Sequence, residues 1–392
     1  MSDIVRSYDS IRDDLISQDT IKQAKARVEI FIKKTTFGSL HSARQELPYL
    51  IQFYPSILKY WNQRQHLATI NPTILWSGFT EYSKEVMHAG FDTHHMLRYT
   101  VLPPQSTYEN ILNNVKNYWY PCIIKPDQWE RAIGVVCVQD EVHLQERFND
   151  HYESSYRFQI QEYCDLPEEY GLQFYRKITG LEISLVQKNI PHAIGDGKKS
   201  LKLLIEQSNY KQVFKEKFLQ ENSSQLDTIP QAWAYIPFTK KVSISYWTTF
   251  SEKILTQEQQ AQLVPTIEEI LKNNPKLYVW RFDLKAQNLE SLIQWDFKII
   301  ECNGAWWISL KVYQEHLSIQ EKYILLHEHF DTMLMIWKDN ASYHTPVKPF
   351  TTTEFMKDCL RSIGKKWWAK SNALGVLIRM YWYGFRLRWF GS

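Results

Sequence analysis

The stretch that most constrains this chain runs from residue 278 to residue 305. It reads Tyr278-Val-Trp-Arg281-Phe-Asp283-Leu284, then a polar connection, then Phe297-Lys-Ile-Ile-Glu301-Cys-Asn303-Gly-Ala305. Both flanks are rich in aromatic and β-branched residues and read as strands. The connection at 287–296 is long enough to join them as an antiparallel pair. Side chains two apart on a strand share a face. Arg281 and Asp283 then point one way from the first strand, and Glu301 and Asn303 one way from the second. Pairing gathers two carboxylates, an amide oxygen and a guanidinium on one surface. Hard oxygen donors suit Mg²⁺, which is held by one or two carboxylates with water and nucleotide phosphate completing its shell. Plain solvation is the competing explanation. Four functional groups at i, i+2 spacing in otherwise apolar strands run against it, because such conflicts with local propensity mark functional sites.

A chain of 392 residues, 44% hydrophobic and 15% aromatic, is long enough for two or three packed units with real cores. Forty-six basic against forty-three acidic residues leave +3, too balanced for a nucleic-acid partner. Cys122, Cys137, Cys164, Cys302 and Cys359 are scattered without a C-x-x-C, so neither a disulfide framework nor a zinc knuckle is expected. The start carries no apolar run of the signal-peptide kind, and no eighteen uncharged apolar residues occur together. A reducing cytoplasm is the expected compartment.

Residues 1–70 read as amphipathic helices without catalytic residues. A helix is expected over 79–90, with Lys84 on it, and another after Ser106 as N-cap. Residues 120–125 form an apolar strand ending in Lys125, with the loop 127–134 and a returning strand to Val138 behind it. A lysine at a strand end facing a loop is well placed to hold a phosphate. Strands follow at 156–164, 168–176 and 182–187, the last two paired across the Thr179-Gly180 turn. Gly195-Asp196-Gly197-Lys198-Lys199 then leads into a helix opening at Ser200. Backbone amides, two lysines and a helix N-terminus together suggest an anion site there. It is not a Walker A loop, since His192 stands where that pattern needs a glycine, and a plain Gly-Asp-Gly turn is the alternative. Residues 211–228 read as helix and 240–250 as strand. Thr256-x-x-Gln259 and Ser318-x-x-Glu321 are capping boxes that open two further helices, the first to about Asn274. His327 and His329, two apart on the second, face different ways and are not expected to share a metal.

From Cys359 onward no acidic residue occurs, while Lys365, Lys366, Lys370, Arg379, Arg386 and Arg388 lie among Trp367, Trp368, Trp382 and Trp389. Residues 365–392 therefore read as an interfacial segment for an anionic membrane surface, peripheral at its inner face, or as a C-terminal helix that caps the core, with single-stranded nucleic acid on the aromatics a third alternative.

In this order the motifs resemble the ATP-grasp superfamily, most closely members akin to D-alanine–D-alanine ligases and cyanophycin-synthetase ATP-grasp domains. The most specific pieces are Arg281-Phe-Asp283 with Glu301-Cys-Asn303-Gly-Ala305, and the Gly195–Gly197 loop leading into a helix. The resemblance implies an α+β fold of two subdomains clamping ATP over 76–345, with a helical region at 1–75 and a basic aromatic tail at 346–392. It implies that Lys84 and Lys125 bind nucleotide phosphates, with Lys198 and Lys199 also on the cofactor side. Gln161, Glu162, Tyr163 and Cys164 match the adenine hinge, and Glu169 the position that takes ribose hydroxyls. Asp283, Glu301 and Asn303 match the Mg²⁺ ligands. Arg281, with Lys125, matches the groups that steady the transferred phosphate and tetrahedral intermediate. The implied activity is an ATP- and Mg²⁺-dependent, ADP-forming ligase that joins a small-molecule carboxylate to an amine or thiol through an acyl phosphate. A kinase-like transfer onto a hydroxyl and a non-catalytic, membrane-peripheral nucleotide binder are the alternatives. Trp129, Glu130 and Arg131 in the loop, and Trp306-Trp307 after Ala305, depart from the family pattern.

Overall fold

Alternation of apolar and polar residues in the middle of the chain resolves into antiparallel sheets. The computed structural model describes residues 60–358 apart from 61, 80–82, 92–93, 128–134, 149–156, 211, 240–247, 306–308, 342–345 and 347–348. The expected helices before residue 60, the loop residues Trp129, Glu130 and Arg131, the pair Trp306-Trp307 and the tail 365–392 lie outside the described residues. The described elements belong to the unit formed by residues 44–359.

The first sheet holds β1 (Tyr99–Leu102), β2 (Cys122–Pro126), β3 (Val136–Val138) and β4 (Phe158–Glu162) in the order β1-β4-β2-β3. The chain then passes through β5 (Glu168–Lys177), β6 (Gly180–Asn189), a ribbon of β7 (His192–Ile194) and β8 (Tyr235–Pro237), and β9 (Thr249–Lys253). It ends its strands with β10 (Val279–Ala286) and β11 (Phe297–Asn303). The second sheet orders them β11-β10-β5-β6-β9, every pair antiparallel. The fold is thus mixed α and β with antiparallel sheets, as expected.

Strand period two gives the second sheet two unlike faces. Trp280, Phe282 and Leu284 of β10, Tyr170, Leu172 and Phe174 of β5, and Phe297 and Ile299 of β11 join one core. Helix Gln257–Ile270 closes it with Leu263, Ile267 and Ile270. Trp280 is fully buried, and truncating such a side chain to Ala costs about 3–5 kcal/mol. The opposite face carries Arg281, Asp283 and Lys285 on β10. In register with them stand Gln173, Gly171 and Glu169 on β5, then Ser184, Val186 and Lys188 on β6. In the first sheet Cys122, Ile124, Phe158 and Ile160 pack with Ile111 and Val115 of helix Tyr108–Val115. Its other face carries Lys125, Gln159 and Gln161, all buried.

Both expected capping boxes form, at Thr256 with Gln259 and at Ser318 with Glu321. Three boundaries differ from expectation. Thr107, not Ser106, caps the 108–115 helix, because Asn110 completes a box with Thr107 while Ser106 Oγ donates to the Pro103 carbonyl. Helix Gln257–Ile270 stops short of Asn274, whose side chain instead donates to the Gly90 carbonyl. Helix Lys84–Ala89 opens at Lys84, where the Ser83 hydroxyl accepts the Val86 amide. Of the strand expected at 240–250, residues 240–247 lie outside the described residues and β9 takes up only Thr249 and Phe250.

Candidate active site

The β10–β11 pair sets Arg281 opposite Asn303 and Asp283 opposite Glu301, so the four groups share one face of the sheet. A register shift follows Asp283, leaving Ile300 as the extra residue. Its carbonyl points out of the ladder and accepts Lys125 Nζ at 3.0 Å and Gln161 Nε2 at 3.3 Å. The bulge is thus the point at which the first sheet reaches the second. Close approach fixes the strand end beyond it. A side chain on Gly304 would collide with the Gly78 backbone, 2.3 Å from its carbonyl oxygen, and the Ala305 amide donates to the Ser77 carbonyl. Gly171, opposite Asp283, leaves the space that Leu310 fills.

Four cationic side chains converge here, and each is almost fully buried. Lys84 Nζ lies 3.4 Å from Glu301 Oε1. Lys125 Nζ also donates to Gln161 Oε1 at 2.8 Å. Lys188 Nζ sits 2.8 Å from both Asp283 Oδ2 and Glu169 Oε1. Arg281 Nε reaches Asp283 Oδ1 at 3.0 Å. Opposing them are Asp283 and Glu169, both buried, and Glu301, whose side chain is 29% exposed. Unpaired charges are not tolerated in such a place, so the mutual compensation is what lets the cluster exist.

Burial, countered by Glu301 and reinforced by Lys84, pulls Lys125 down to about 8. Burial also disfavours the charged form of Lys188, but Asp283 and Glu169 outweigh it and hold the ammonium above its ordinary value. Asp283 is driven up by burial and more strongly down by Arg281 and Lys188, ending low. Glu169 ends high, because burial exceeds the help it gets from Lys188. His88, beside Lys125 and Lys84, is held neutral by burial and by those two cations. Burial and Glu301 push the Cys302 thiol well up, so it is no nucleophile.

Among the described residues, Asn303 Nδ2, Gln173 Oε1 and Ser184 Oγ on this face are buried without a hydrogen-bond partner. With Arg281 they fall on one rung across β11, β10, β5 and β6. Buried polar atoms are normally paired, so these three make this rung a candidate place for a ligand or a water. For a divalent cation the oxygen chemistry fits: Asp283 and Glu301 offer two carboxylates in cross-strand register, with the Asn303 side chain, whose oxygen could ligate, on the same face. Among the described residues no three His, Cys, Asp or Glu side chains are grouped to hold a metal by themselves.

The other expected site residues fall in different places. Glu162 is partly exposed and pairs with Arg98 at 3.1 Å. The Cys164 carbonyl accepts Lys285 Nζ at 3.1 Å, and that ammonium lies 5.9 Å from the Tyr163 ring centre, so β10 tethers residues 163–164. Lys198 and Lys199 do not join the cluster. Their backbone amides donate to Asp196 Oδ1 at 2.9 and 2.7 Å, so the carboxylate of the loop itself fills the expected anion nest. The ribbon β7–β8 instead packs through Ala193 and Ile236 on a separate small core of Leu201, Ile205, Phe214, Phe218 and Phe238. His327 turns to Tyr60, and His329 to Tyr175 and the Ala305 carbonyl, so the two do not meet.

Sequence reasoning missed Lys188, Gln173, Ser184 and Lys285. The signal for Lys188 is present. A hairpin about Thr179-Gly180 sets Lys177 opposite Gly180 and, counted outward, Glu169 opposite Lys188.

No family model matches the sequence, and no curated protein matches it. Among solved structures the chain is similar to a bifunctional glutathione synthetase from Pasteurella multocida (14% identity, 63% of this chain and 34% of that one, TM-score 0.32). It is also similar to D-alanine–D-alanine ligase from Helicobacter pylori (15% identity, 68% and 61%, TM-score 0.33). A third is the D-alanine–D-alanine ligase from Bacillus anthracis complexed with ATP (11% identity, 66% and 64%, TM-score 0.35). The chain spans less than two thirds of the length of each of the three.

Proposed function

We propose that residues 76–345 form the core of an ATP-dependent, Mg²⁺-requiring ligase that joins a small-molecule carboxylate to an amine or thiol. One observation carries this reading: Lys84, Lys125, Lys188 and Arg281 converge, buried, on the cross-strand carboxylates Asp283 and Glu301. Four buried cations against three carboxylates, Asp283, Glu301 and Glu169, suit a polyanion that arrives with its own metal, and a nucleoside triphosphate is such a ligand.

In this reading Lys84 and Lys125 bind the phosphates, and Asp283, Glu301 and Asn303 hold the metal. Bound there, Mg²⁺ would neutralise and align the phosphate oxygens. Arg281 lies beside Asp283, where its guanidinium can stabilise negative charge that develops during phosphoryl transfer. Gln161 keeps the Lys125 ammonium aimed at the Ile300 bulge, so the cation is preorganised before ligand arrives. Burial of the cluster keeps bulk water away from an activated acyl group. The residues at 161–164, tethered by Lys285, form the adenine side, and Glu169 the ribose side.

The test is Mg²⁺-dependent ADP formation, screened against paired carboxylates and amines or thiols. Release of phosphate together with amide or thioester product is expected. Phosphoryl transfer onto a hydroxyl product, or no turnover with any pair, would contradict the ligase reading.

A further inference from the structure

We infer that Lys188 is a built-in counter-cation that occupies Asp283 until nucleotide phosphate draws it off, and so makes metal binding depend on nucleotide. The inference rests on the nucleotide reading given above and concerns what this chain adds to it.

Both oxygens of Asp283 are taken. Oδ2 accepts Lys188 Nζ at 2.8 Å, and Oδ1 accepts Arg281 Nε at 3.0 Å. Glu301 is different: its side chain is 29% exposed, and its ion pair with Lys84 is longer, at 3.4 Å. One carboxylate of the pair is sealed and the other is half open. The seal is Lys188, because Arg281 shares its strand with Asp283 whereas Lys188 reaches across from β6, two strands away. Its ammonium is held at equal distance by Glu169, so it bridges two carboxylates that would otherwise repel each other in a dry setting.

A divalent cation at the Asp283 oxygen and an ammonium at the same oxygen would lie within contact distance of one another, where like charges repel most strongly. One of them must go. Lys188 can move, since it is the penultimate residue of β6 and carries a flexible four-carbon stem with a rotatable ammonium. It cannot move into nothing, because a buried ammonium without an anion is costly. A phosphate group supplies that anion. Metal alone must therefore expel Lys188 without giving it a new partner, whereas metal with nucleotide provides one. Coupling of this kind is reciprocal, so metal would raise nucleotide affinity by the same factor by which nucleotide raises metal affinity.

Mn²⁺ binding, read by the electron paramagnetic resonance signal of the free ion, tests this without turnover. Wild-type protein is expected to bind Mn²⁺ weakly by itself and much more tightly with a non-hydrolysable ATP analogue. Lys188→Gln is expected to bind Mn²⁺ alone about tenfold or more tightly than wild type and to lose most of the gain from the analogue. Since that variant leaves Asp283 and Glu169 without their bridge, the double variant Lys188→Gln with Glu169→Gln serves beside it, removing one charge of each sign. Tighter binding of Mn²⁺ alone by either folded variant supports the assignment. If wild type binds Mn²⁺ with the analogue normally and both variants bind Mn²⁺ alone no more tightly than wild type, Lys188 is not the competitor and the inference falls. Failure of wild type to bind the analogue at all would instead overturn the nucleotide reading, and this inference with it.

Discussion

Two stretches of this chain look like anion sites in the sequence, and the structure treats them oppositely. At the β10–β11 pair, lysines from a helix and from two strands turn inward and are buried against carboxylates. At the Gly195–Gly197 loop, Asp196 accepts the amides of Lys198 and Lys199, while the Lys199 side chain stays 44% exposed. The loop has satisfied itself. The contrast teaches that a lysine near a turn means little, since solvent accommodates it at no cost, whereas a buried lysine must be explained by a partner. Charge that the fold has taken out of water is the better guide to function.

Breaking the buried side should produce the largest effect. Asp283→Asn and Glu301→Gln keep shape but remove charge, and each should lower ATP turnover by about 10²–10³ while circular dichroism still reports a folded chain. Turnover within a few fold of wild type in either variant would mean that the strand pair is not the site. The next effect is a pH dependence. Lys125 titrates near 8 in the free protein, and its phosphate-binding form is the protonated one. kcat/KM for ATP should therefore be flat below that pH and fall about tenfold per unit above it. Lys125→Arg, which keeps its proton, should lose that limb. A profile that keeps its fall in the arginine variant would assign it to another group. A smaller effect is expected at Gly304→Ala. Its new methyl would meet the Gly78 backbone and push Asn303 out of place, so the metal requirement should rise several fold, with a lowered melting temperature. The smallest belongs to the loop: Lys198→Ala with Lys199→Ala should change ATP turnover by less than about twofold, in keeping with exposed charges. A loss as large as that at Asp283 would erase the distinction between the two regions.

Much of the site could be read without coordinates because strand periodicity is rigid. Arg281 and Asp283 had to share a face, and so did Glu301 and Asn303. The polar 287–296 connection made an antiparallel pair the simple solution. What stayed hidden arises from packing between segments far apart in the chain. Lys84 looks like an ordinary helix-surface cation until helix Lys84–Ala89 is set against β11, where Glu301 receives it. The bulge at Ile300 has no glycine to announce it, yet it frees the carbonyl that Lys125 uses. Lys188 is hidden for a lesser reason: the strand pattern reads only to 187, one residue short of it. The Asp196 turn was also legible in principle, since Asp commonly accepts the amides two and three residues on. Two lysines beside glycines drew attention away from it.

The most direct measurement is calorimetric titration of a non-hydrolysable ATP analogue with Mg²⁺ into wild type, Glu301→Gln and the Lys198/Lys199 double alanine variant. One nucleotide per chain should bind wild type and the loop variant alike, and the Glu301 variant should lose most of that affinity. No binding to wild type, or equal binding by all three, would contradict the placement of a nucleotide against the β10–β11 carboxylates.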